Sequence, residues 1–540
     1  MSRLIARLRD HAIRSPARTA VILDRGMDGA ALTTYGELAD LAGAFSKAFE
    51  ALGEDAAFIP VLASKSPDSV AAVLAALACG KAFVSINRKL RLPQVVSILQ
   101  TTGARVMLID GAGLMALHRE LPDSPLVQQV EFWVLREAGW SAMHDRIVRA
   151  LREKLTVRLW PDEFDSAGAA MPDPPADEQT PGCCLFTSGS TGQPKGVLIA
   201  AADLDARAEA EVECFGLSAD DVLLNILPWS FDVGLNQMLS SIWVGAALVL
   251  TDSWLPADIL RMVAQHRVTG ISSVPAIWRD VINAGMRFHT TGQHRSLRYV
   301  TVSGGDLSRG HLAKLPAMAP GVGIFKTYGQ TEAFRATALL PEYFQSRITS
   351  CGRPFGSAHV YVVKPDGTPA GPDEPGEVVH SGLGVMLGYL NGQDVTNKLR
   401  PNPFHGPDDP APLAIFTGDE GHFDAEGFLY IHGRRDTMLK VMGNRVYPNE
   451  ASAALAAVEG VQEAEVIGVK DEDGQATLVG FIVYEQANDR TPMLIQRELS
   501  TRLPTYMIPQ RIVVLPAMPR TGSGKTDSPA LLAQAKALLG

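Results

Sequence analysis

Short apolar runs alternate with helical segments along most of the first 340 residues. Continuous apolar runs are typical of buried parallel strands, and the segments between them have apolar residues at helical spacing, as connecting helices do. The predicted strands are 58–62, 82–86, 105–109, 222–227, 247–250, 270–274 and 299–303. The pattern therefore predicts an α/β fold with two sheets in tandem.

The pattern changes twice towards the C-terminus. Segments 359–364, 376–381 and 427–432 alternate apolar with polar residues between Gly/Pro/Asp turns, which predicts a small antiparallel, β-barrel-like unit. After Arg434 about a hundred residues of mixed strand and helix pattern follow, enough for a separate domain. The predicted organisation is a large N-terminal domain, 1–434, and a small, mobile α+β C-terminal domain, 435–540.

Composition excludes several classes of protein. The 540 residues include 49 basic and 59 acidic side chains, and this net charge of −10 argues against general binding to nucleic acid or to acidic membranes. No apolar run approaches the roughly 18 residues that a spanning helix needs. Five cysteines without a CxxC pair indicate free thiols in a reducing cytoplasm.

A loop rich in glycine and hydroxyl residues follows a predicted strand that ends at Phe186. It reads Thr187-Ser188-Gly189-Ser190-Thr191-Gly192-Gln193-Pro194-Lys195. Glycines let backbone N–H groups face an anion, hydroxyls add donors, and a lysine offsets phosphate charge. The spacing differs from that of the common P-loop. Taken alone, the stretch also fits a polar surface loop.

Three further positions carry residue types that suit a nucleotide. In Tyr328-Gly329-Gln330-Thr331-Glu332, the ring can stack on a purine, the threonine can bond phosphate, and the carboxylate can hold Mg²⁺. Asp419, in a Thr-Gly-Asp motif, can accept two hydroxyl donors at once. Lys525 lies in a Gly-rich stretch near the C-terminus. The alternatives are a helix cap at Thr331, a plain turn at Asp419 and an exposed tail lysine.

Taken in order, these motifs resemble those of the adenylate-forming superfamily, which includes acyl-CoA synthetases, luciferases and the adenylation domains of nonribosomal peptide synthesis. The resemblance covers nearly the whole chain and implies ATP and Mg²⁺ as cofactors. It implies that a carboxylate attacks the α-phosphorus of MgATP and that a thiol then takes the acyl group. It gives catalytic roles to Lys195, Thr331 and Lys525, and the metal to Glu332.

The resemblance also implies where the nucleotide and the thiol bind. The implied nucleotide contacts are Thr187, Ser188, Gly189, Ser190, Thr191, Gly192, Gly304, Gly305, Tyr328, Thr331, Asp419, Arg434 and Lys525. Asp436 corresponds to a hinge, and Gly443 to a loop that lines the path of a pantetheine thiol. Rotation about Asp436 would exchange Lys525 for the Gly443 loop between the two steps.

The segment after residue 227 bears on the substrate. Acyl-CoA synthetases usually have a histidine there, whereas Phe231-Asp232 resembles the amino-acid-activating branch, in which the aspartate pairs with the substrate ammonium. An anion in a pocket wall is costly unless it is paired; the alternative is that Asp232 caps a helix. The branch's pocket pattern maps onto Phe231, Asp232, Val233, Asn236, Ser272, Thr301, Ser303, Thr327, Gly329, Arg335 and Ala336.

Arg335 suggests a second anionic group on the substrate. Its guanidinium could clamp a carboxylate through two parallel hydrogen bonds, unless it points to solvent. Together with Ser303, this pattern resembles stand-alone enzymes that load β-amino acids for macrolactam antibiotic biosynthesis. We therefore expect a β-amino acid or an acidic, aspartate-like amino acid.

The length of chain after Lys525 bears on the thiol acceptor. Only 15 residues follow Lys525, so the expected acceptor is a separate phosphopantetheinylated carrier protein, with CoA as the alternative. The rival functions are an acyl- or aryl-CoA ligase, in which Asp232 would be structural, and a catalytically silent nucleotide-binding regulator.

Overall fold

The computed structural model shows two large mixed sheets, a smaller antiparallel sheet and a separate C-terminal α+β unit. It describes residues 2–539 except 89, 91, 119–126, 137–138, 189–193, 286–287, 289–295, 306, 308, 393–396, 435–438, 442–443, 447, 471–475, 486–490, 501, 504 and 522–523. The α/β fold class predicted from the apolar runs is confirmed.

The first sheet is built mainly from residues 58–200. In spatial order its described strands are Gly388–Tyr389, Pro194–Ala200, Pro181–Ser188, Ala82–Ser85, Phe58–Leu62, Val106–Asp110, Glu131–Leu135 and Val157–Trp160. From Pro181–Ser188 onward the neighbours are parallel, whereas the first two strands are antiparallel additions. The helices that belong to this part are Pro67–Ala78, Leu92–Thr102, Gly111–Leu117 and Ala142–Leu151.

The second sheet combines the beginning of the chain with residues 222–354. In spatial order its described strands are Arg353–Pro354, Ala333–Leu339, Gly323–Gln330, Tyr299–Ser303, Gly270–Ser273, Val222–Asn225, Ala247–Leu250, Thr19–Asp24 and Ala30–Thr34. Both predicted sheets are present, but they do not follow one another completely along the chain. Thr19–Asp24 pairs in parallel with Ala247–Leu250, so the first strands belong to the later sheet.

Helices cover both sheets and fill the space between them. Those of the second part are Arg3–Arg14, Tyr35–Glu50, Ala201–Phe215, Asp232–Val244, Pro256–His266, Pro275–Asn283 and Arg309–Met318. Thr34 caps Tyr35–Glu50 with a capping box, as its sequence indicates. The helix Pro67–Ala78 is apolar almost all round, and it can therefore be buried on nearly every side, in one hydrophobic cluster with residues of both sheets.

The smaller antiparallel sheet carries one of the predicted nucleotide residues. Its described strands are Ala358–Val363, Gly376–Gly382, Leu413–Phe423, Leu399–Pro401 and Leu429–Arg434. The last two both pair with Leu413–Phe423, and among the described residues no pairing closes the sheet into a barrel. The expected barrel-like unit is thus an open sheet with Asp419 on its central strand.

The C-terminal domain has its own core. Its strands are Leu439–Val441, Asn444–Val446, Val461–Lys470, Ala476–Tyr484 and Arg511–Val514, and its helices are Pro448–Ala456, Thr491–Leu499 and Ser528–Leu539. Two hydrophobic clusters consist of residues from this region alone. The predicted hinge, Asp436, and the predicted thiol-path residue, Gly443, lie outside the described residues, so the boundary between 434 and 435 stays a prediction.

The structure bears on membrane-spanning helices and on the cysteines. Within the described ranges, none of the helices has the length and apolarity that crossing a bilayer requires. All five cysteines are unpaired, as predicted.

Candidate active site

The predicted site residues converge where the parallel strands of the second sheet end. Ligands of open α/β sheets commonly bind at these carboxyl ends. The pocket there encloses about 40 Å³ and is lined by Phe231, Asp232, Val233, Ser303, Gly304, Thr327, Gly329, Gln330, Thr331, Arg335 and Lys525. Substrate and nucleotide positions that are far apart in sequence therefore share one cavity.

A row of hydroxyl groups forms one wall of the pocket. Ser303 and Thr327 are paired across neighbouring strands, with their hydroxyl oxygens 2.6 Å apart. Thr301 lies two residues before Ser303 on the same strand face, and its hydroxyl oxygen is 3.3 Å from that of Ser303. The row thus runs from the pocket into the sheet.

Asp232 occupies the first turn of the helix Asp232–Val244 and also lines the pocket. Its Oδ1 accepts a hydrogen bond from the backbone N–H of Val233 at 2.9 Å, and the residue is 9% exposed. The positive end of the helix dipole favours a carboxylate there. Within the described residues no lysine, arginine or histidine nitrogen approaches its carboxylate within 4 Å. The structure thus supports the helix-end position and leaves the pocket-facing carboxylate without a close countercharge.

Arg335 is held inside the protein by an acidic residue that the sequence analysis missed. It is 2% exposed, so the alternative that it points to solvent is wrong. Its Nη1 forms an ion pair with Glu211, whose Oε2 accepts a hydrogen bond from Ser240 at 2.9 Å. Burial raises the pKa of Glu211, and Arg335 opposes that rise. Apart from this pair, Nε and Nη2 of Arg335 have no hydrogen-bond partner among the described residues.

A signal for Glu211 does exist in the sequence. On the helix Ala201–Phe215 it falls in line with Leu204, Ala208 and Phe215, all of which are buried. A carboxylate on an apolar helix face requires a buried partner. The pattern predicts that a partner exists but does not identify it as Arg335.

Four residues of the mapped pocket pattern do not line the cavity. They are Asn236, Ser272, Thr301 and Ala336. Thr301 and Ser272 lie side by side one step deeper in the sheet. Ala336 follows Arg335 on a strand and so faces the opposite side, where it packs with Val360. Asn236 is buried, and its side-chain amide donates to the backbone carbonyl of Arg207 at 3.3 Å.

The residues predicted to hold adenosine form a connected cluster. The Tyr328 hydroxyl donates to Oδ2 of Asp419 at 2.6 Å, and the Gln330 amide donates to the same oxygen at 2.8 Å. Arg434 Nε lies 3.5 Å from Oδ1 of Asp419. Burial, and then the charge of Asp419, raises the pKa of Tyr328 well above its usual value. Asp419 therefore has a fixed orientation between the ring and Arg434.

Glu332 is surrounded by cationic and hydroxyl groups. Its Oε1 accepts from the Tyr389 hydroxyl at 2.8 Å and from Lys398 at 3.0 Å. Burial acts to raise the pKa of Glu332, but Lys398 and Tyr389 together hold it below the ordinary value. Lys195 Nζ lies 5.9 Å from the centre of the Tyr389 ring. Tyr389 and Lys398 were missed because neither lies in a recognisable motif.

This donor set fits a metal that arrives with the nucleotide. Within the described residues no group of three or more His, Cys, Asp and Glu side chains could hold a metal by itself. Mg²⁺ is commonly bound through one or two carboxylates together with substrate phosphates and waters. Glu332 supplies one such carboxylate, and the lowered pKa of its side chain keeps it ionised.

The phosphate loop is described only at its two ends. Thr187 and Lys195 face each other on the antiparallel strands that it joins. Residues 189–193, which include Gly189, Ser190, Thr191 and Gly192, lie outside the described residues, as does the side chain of Ser188. Their contacts with phosphate stay a prediction.

Two glycines follow the strand Tyr299–Ser303. Gly304 has a φ of +76°, and a Cβ atom there would lie 2.6 Å from Cζ of Phe231, so this position requires glycine. At Gly305 the nearest neighbour of an added Cβ would be Pro275, at 3.5 Å. The chain thus turns closely around the Phe231 ring.

Lys525 reaches the pocket from the C-terminal domain. Its Nζ lies 5.1 Å from the centre of the Phe231 ring. The residue as a whole is exposed, but its side chain lines the pocket, where burial lowers its pKa while Asp232 and Glu332 oppose the change. The alternative of a tail lysine remote from the site is therefore wrong.

Comparison with known families agrees with this fold and site. Residues 8–390 match the AMP-binding enzyme family, and residues 450–525 match the AMP-binding enzyme C-terminal domain. The chain therefore belongs to the AMP-binding enzyme family. The family is described as AMP-binding, which agrees with the nucleotide site that the motifs predict.

The relatives include a subunit of a peptide synthase and CoA ligases. A plipastatin synthase of Bacillus subtilis is 27% identical over 96% of this chain, which spans only 19% of that protein. Indoleacetate–CoA ligase of Aromatoleum aromaticum is 28% identical over 95% of this chain and 94% of its own. The O-succinylbenzoate CoA synthetase of Bacillus subtilis, solved with ATP and a magnesium ion, matches with a TM-score of 0.75 and 23% identity over 98% of this chain and 99% of that one. This structural likeness concerns the fold alone.

Proposed function

We propose that the protein adenylates an amino acid and transfers the aminoacyl group to the phosphopantetheine thiol of a separate carrier protein. The observation that carries this proposal is Asp232, a buried carboxylate in the pocket wall without a close countercharge. A buried anion is costly unless it is paired, and a substrate ammonium supplies that pair. An acid without an amine leaves Asp232 without a paired cation, since Lys525 influences it only from a greater distance.

Each residue of the site has a distinct proposed role in adenylation. Bound MgATP supplies the electrophilic phosphorus, and Glu332 would hold the magnesium. The Lys525 ammonium stabilises negative charge as it develops at the reacting centre. Thr331, which lines the same pocket, would bond an α-phosphate oxygen through its hydroxyl. Asp419 would accept the ribose hydroxyls, with Tyr328 and Arg434 fixing its orientation.

For the class of amino acid, we propose a β-amino acid of aspartate-like form. The buried guanidinium of Arg335 retains donors without partners, and a second carboxylate on the substrate can accept them. Ser303 and Thr327 supply further hydroxyls beside Asp232. Glu211 balances Arg335 in the absence of substrate, so the strength of selection for a second carboxylate depends on this pair.

With a carrier protein as acceptor, the role that we propose is in the biosynthesis of peptide or macrolactam antibiotics. Similarity to a peptide synthase supports a carrier-protein thiol. Similarity to a CoA ligase over nearly its whole length supports CoA as the second candidate. If CoA is the acceptor and the acid has no amine, Asp232 has only a structural role at the start of its helix, where it accepts a hydrogen bond from the backbone N–H of Val233.

A catalytically silent regulator is the least supported alternative. Lys195, Thr331, Glu332, Asp419 and Lys525 are all present, whereas a silent nucleotide binder needs no lysine over the reacting centre. Loss of adenylation with retained ATP binding in Lys525→Ala would exclude this alternative. Unchanged activity in that variant would contradict the role of Lys525.

The deciding experiment is release of pyrophosphate with MgATP, with hydroxylamine trapping the adenylate. The acids to compare are α-amino acids, β-amino acids, 3-substituted aspartates, aryl acids and fatty acids. We expect turnover with the amino acids and a KM for them raised at least about tenfold in Asp232→Asn, because the ion pair is lost in a desolvated pocket. Asp220→Asn, at an exposed aspartate, is the matched control. Turnover restricted to acids without an amine would overturn the proposal.

A further inference from the structure

A single carboxylate joins an arginine of the N-terminal domain to an arginine of the C-terminal domain. Glu463, on the strand Val461–Lys470, has its Oε1 3.4 Å from Nε of Arg279 in the helix Pro275–Asn283. Its Oε2 lies 2.6 Å from Nη2 of Arg520. The side chains of Glu463 and Arg279 are each only 14% exposed. The two domains are therefore linked by a mostly buried ion-pair bridge.

The bridge leads directly to the loop that carries Lys525. Arg520 pairs with Thr526 as an isolated antiparallel bridge, and the N–H of Thr521 donates to the Lys525 carbonyl at 2.8 Å. Arg520 thus lies at the base of a tight loop with Lys525 near its turn. A shift of Arg520 relative to Arg279 would move Lys525 relative to the pocket.

A second contact seats the same loop on the N-terminal domain. Gly524 has a φ of +84°, and a Cβ atom there would lie 2.9 Å from a ring carbon of Trp254. The Trp254 indole N–H donates to the carbonyl of Ile226 at 3.0 Å, which fixes the ring in the N-terminal domain. The loop therefore has a packing contact at its turn and an ionic contact at its base.

Charge explains why the bridge needs Glu463. Burial lowers the pKa of Arg279; Glu463 opposes this effect and the charge of Arg520 adds to it. Nη2 of Arg279 has no hydrogen-bond partner in the part of the chain described. Glu465 faces the same side two residues further on, but burial raises its pKa to about 7 against the influence of both arginines. Without Glu463, two partly buried guanidinium groups would repel each other across the junction.

We propose that Glu463 is a positioning residue for adenylation, which holds the C-terminal domain in the orientation that places Lys525 over the pocket. The thiol that later takes the acyl group must approach the carbonyl that Lys525 covers, so the bridge must open before transfer. Glu463 therefore supports the first step and is dispensable in the second. This inference rests on the proposed adenylation activity and not on the identity of the acid.

The test separates the two half-reactions in Glu463→Gln, which keeps the shape and removes the charge. With whichever acid the unaltered protein turns over, we expect the adenylation rate to fall about tenfold, since the bridge is more buried than a surface pair. Transfer from a preformed acyl adenylate to the thiol acceptor should stay within about twofold, because docking of Lys525 is not needed there. Glu463→Asp should restore part of the lost rate. Glu498→Gln removes an exposed ion pair with Arg502 in the same domain and is the matched control.

A cross-link provides a measurement that does not depend on loss of function. Arg279→Cys combined with Glu463→Cys, joined by a short bismaleimide, should retain adenylation and lose transfer. The single-cysteine variants treated with the reagent control for the five natural cysteines. Equal effects of Glu463→Gln on both steps, no effect on either, or transfer by the cross-linked protein would overturn the inference. None of these outcomes depends on whether the acid carries an amine.

Discussion

Replacing Glu211 with glutamine removes the countercharge of Arg335 from a place that water barely reaches. Both side chains are almost completely buried, at 2% and 3% exposure. Removing one partner of such a pair costs about 3–5 kcal/mol, because it leaves an uncompensated buried charge. We expect the free energy of unfolding of Glu211→Gln to fall by that amount. Changing both residues, as in Glu211→Gln with Arg335→Met, should recover most of the loss, since no charge is left unpaired.

Urea unfolding measures the cost, and ligand binding tests its cause. A 3-substituted aspartate should stabilise Glu211→Gln more than it stabilises the unaltered protein, because its second carboxylate replaces the missing countercharge. The ratio of kcat/KM between acidic and uncharged β-amino acids should rise in Glu211→Gln and fall in Arg335→Met. Glu209→Gln, at an exposed glutamate of the same helix, should change stability by less than about 1 kcal/mol. A cost below about 1 kcal/mol for Glu211→Gln, or equal stabilisation of the variant and the unaltered protein by the 3-substituted aspartate, would refute the reasoning.

Three further predictions concern the nucleotide side of the pocket. Lys525→Ala should lose about 10²–10³ in adenylation rate; because the pKa of Lys525 is lowered, the rate should fall with rising pH earlier than a free lysine would allow, and Lys525→Arg should remove that alkaline decline. Gly304→Ala should abolish adenylation in the pyrophosphate assay, because the added Cβ would meet the Phe231 ring at 2.6 Å; near-normal activity would show that the ring moves aside freely. Tyr328→Phe should raise the KM for ATP several-fold, because Asp419 loses a 2.6 Å hydrogen bond and with it a fixed orientation; an unchanged KM would show that Gln330 suffices.

Local patterns predicted the strands that end at the site, because continuous apolar runs and turn residues are properties of short segments. The run 299–303 is the strand Tyr299–Ser303, and Ala247–Leu250 was predicted at the same bounds. The placement of Thr19–Asp24 in the later sheet was not predictable in this way, because strand pairing over more than 200 residues leaves no local signal. Sequence motifs therefore indicated which residues form the site, whereas the order of the strands around it depended on the topology.

Side chains outside the motifs account for most of what the sequence could not supply. Tyr389 reaches Glu332 because the two-residue strand Gly388–Tyr389 pairs with the strand that carries Lys195, and Lys398 reaches it from the position just before the strand Leu399–Pro401. Ala336 was placed in the pocket by a linear pattern, although the alternation of side chains along a strand turns it away from Arg335. Spacing along the chain indicates which residues are near one another, and the direction of each Cβ determines which of them face the substrate.

The positions of Asp232 and Lys525 couple substrate binding to the first chemical step. In the absence of substrate, the ammonium of Lys525 lies in a pocket whose nearest influential anions are Asp232 and Glu332, both of which favour its charged form. A substrate ammonium that pairs with Asp232 removes part of that attraction and brings its own carboxylate into the pocket. The most favourable position for Lys525 is then beside the reacting carboxylate and phosphate, where its charge is needed. An acid without an amine would leave Lys525 attracted to Asp232, so Asp232 selects for an amine both by direct pairing and by its effect on the catalytic lysine.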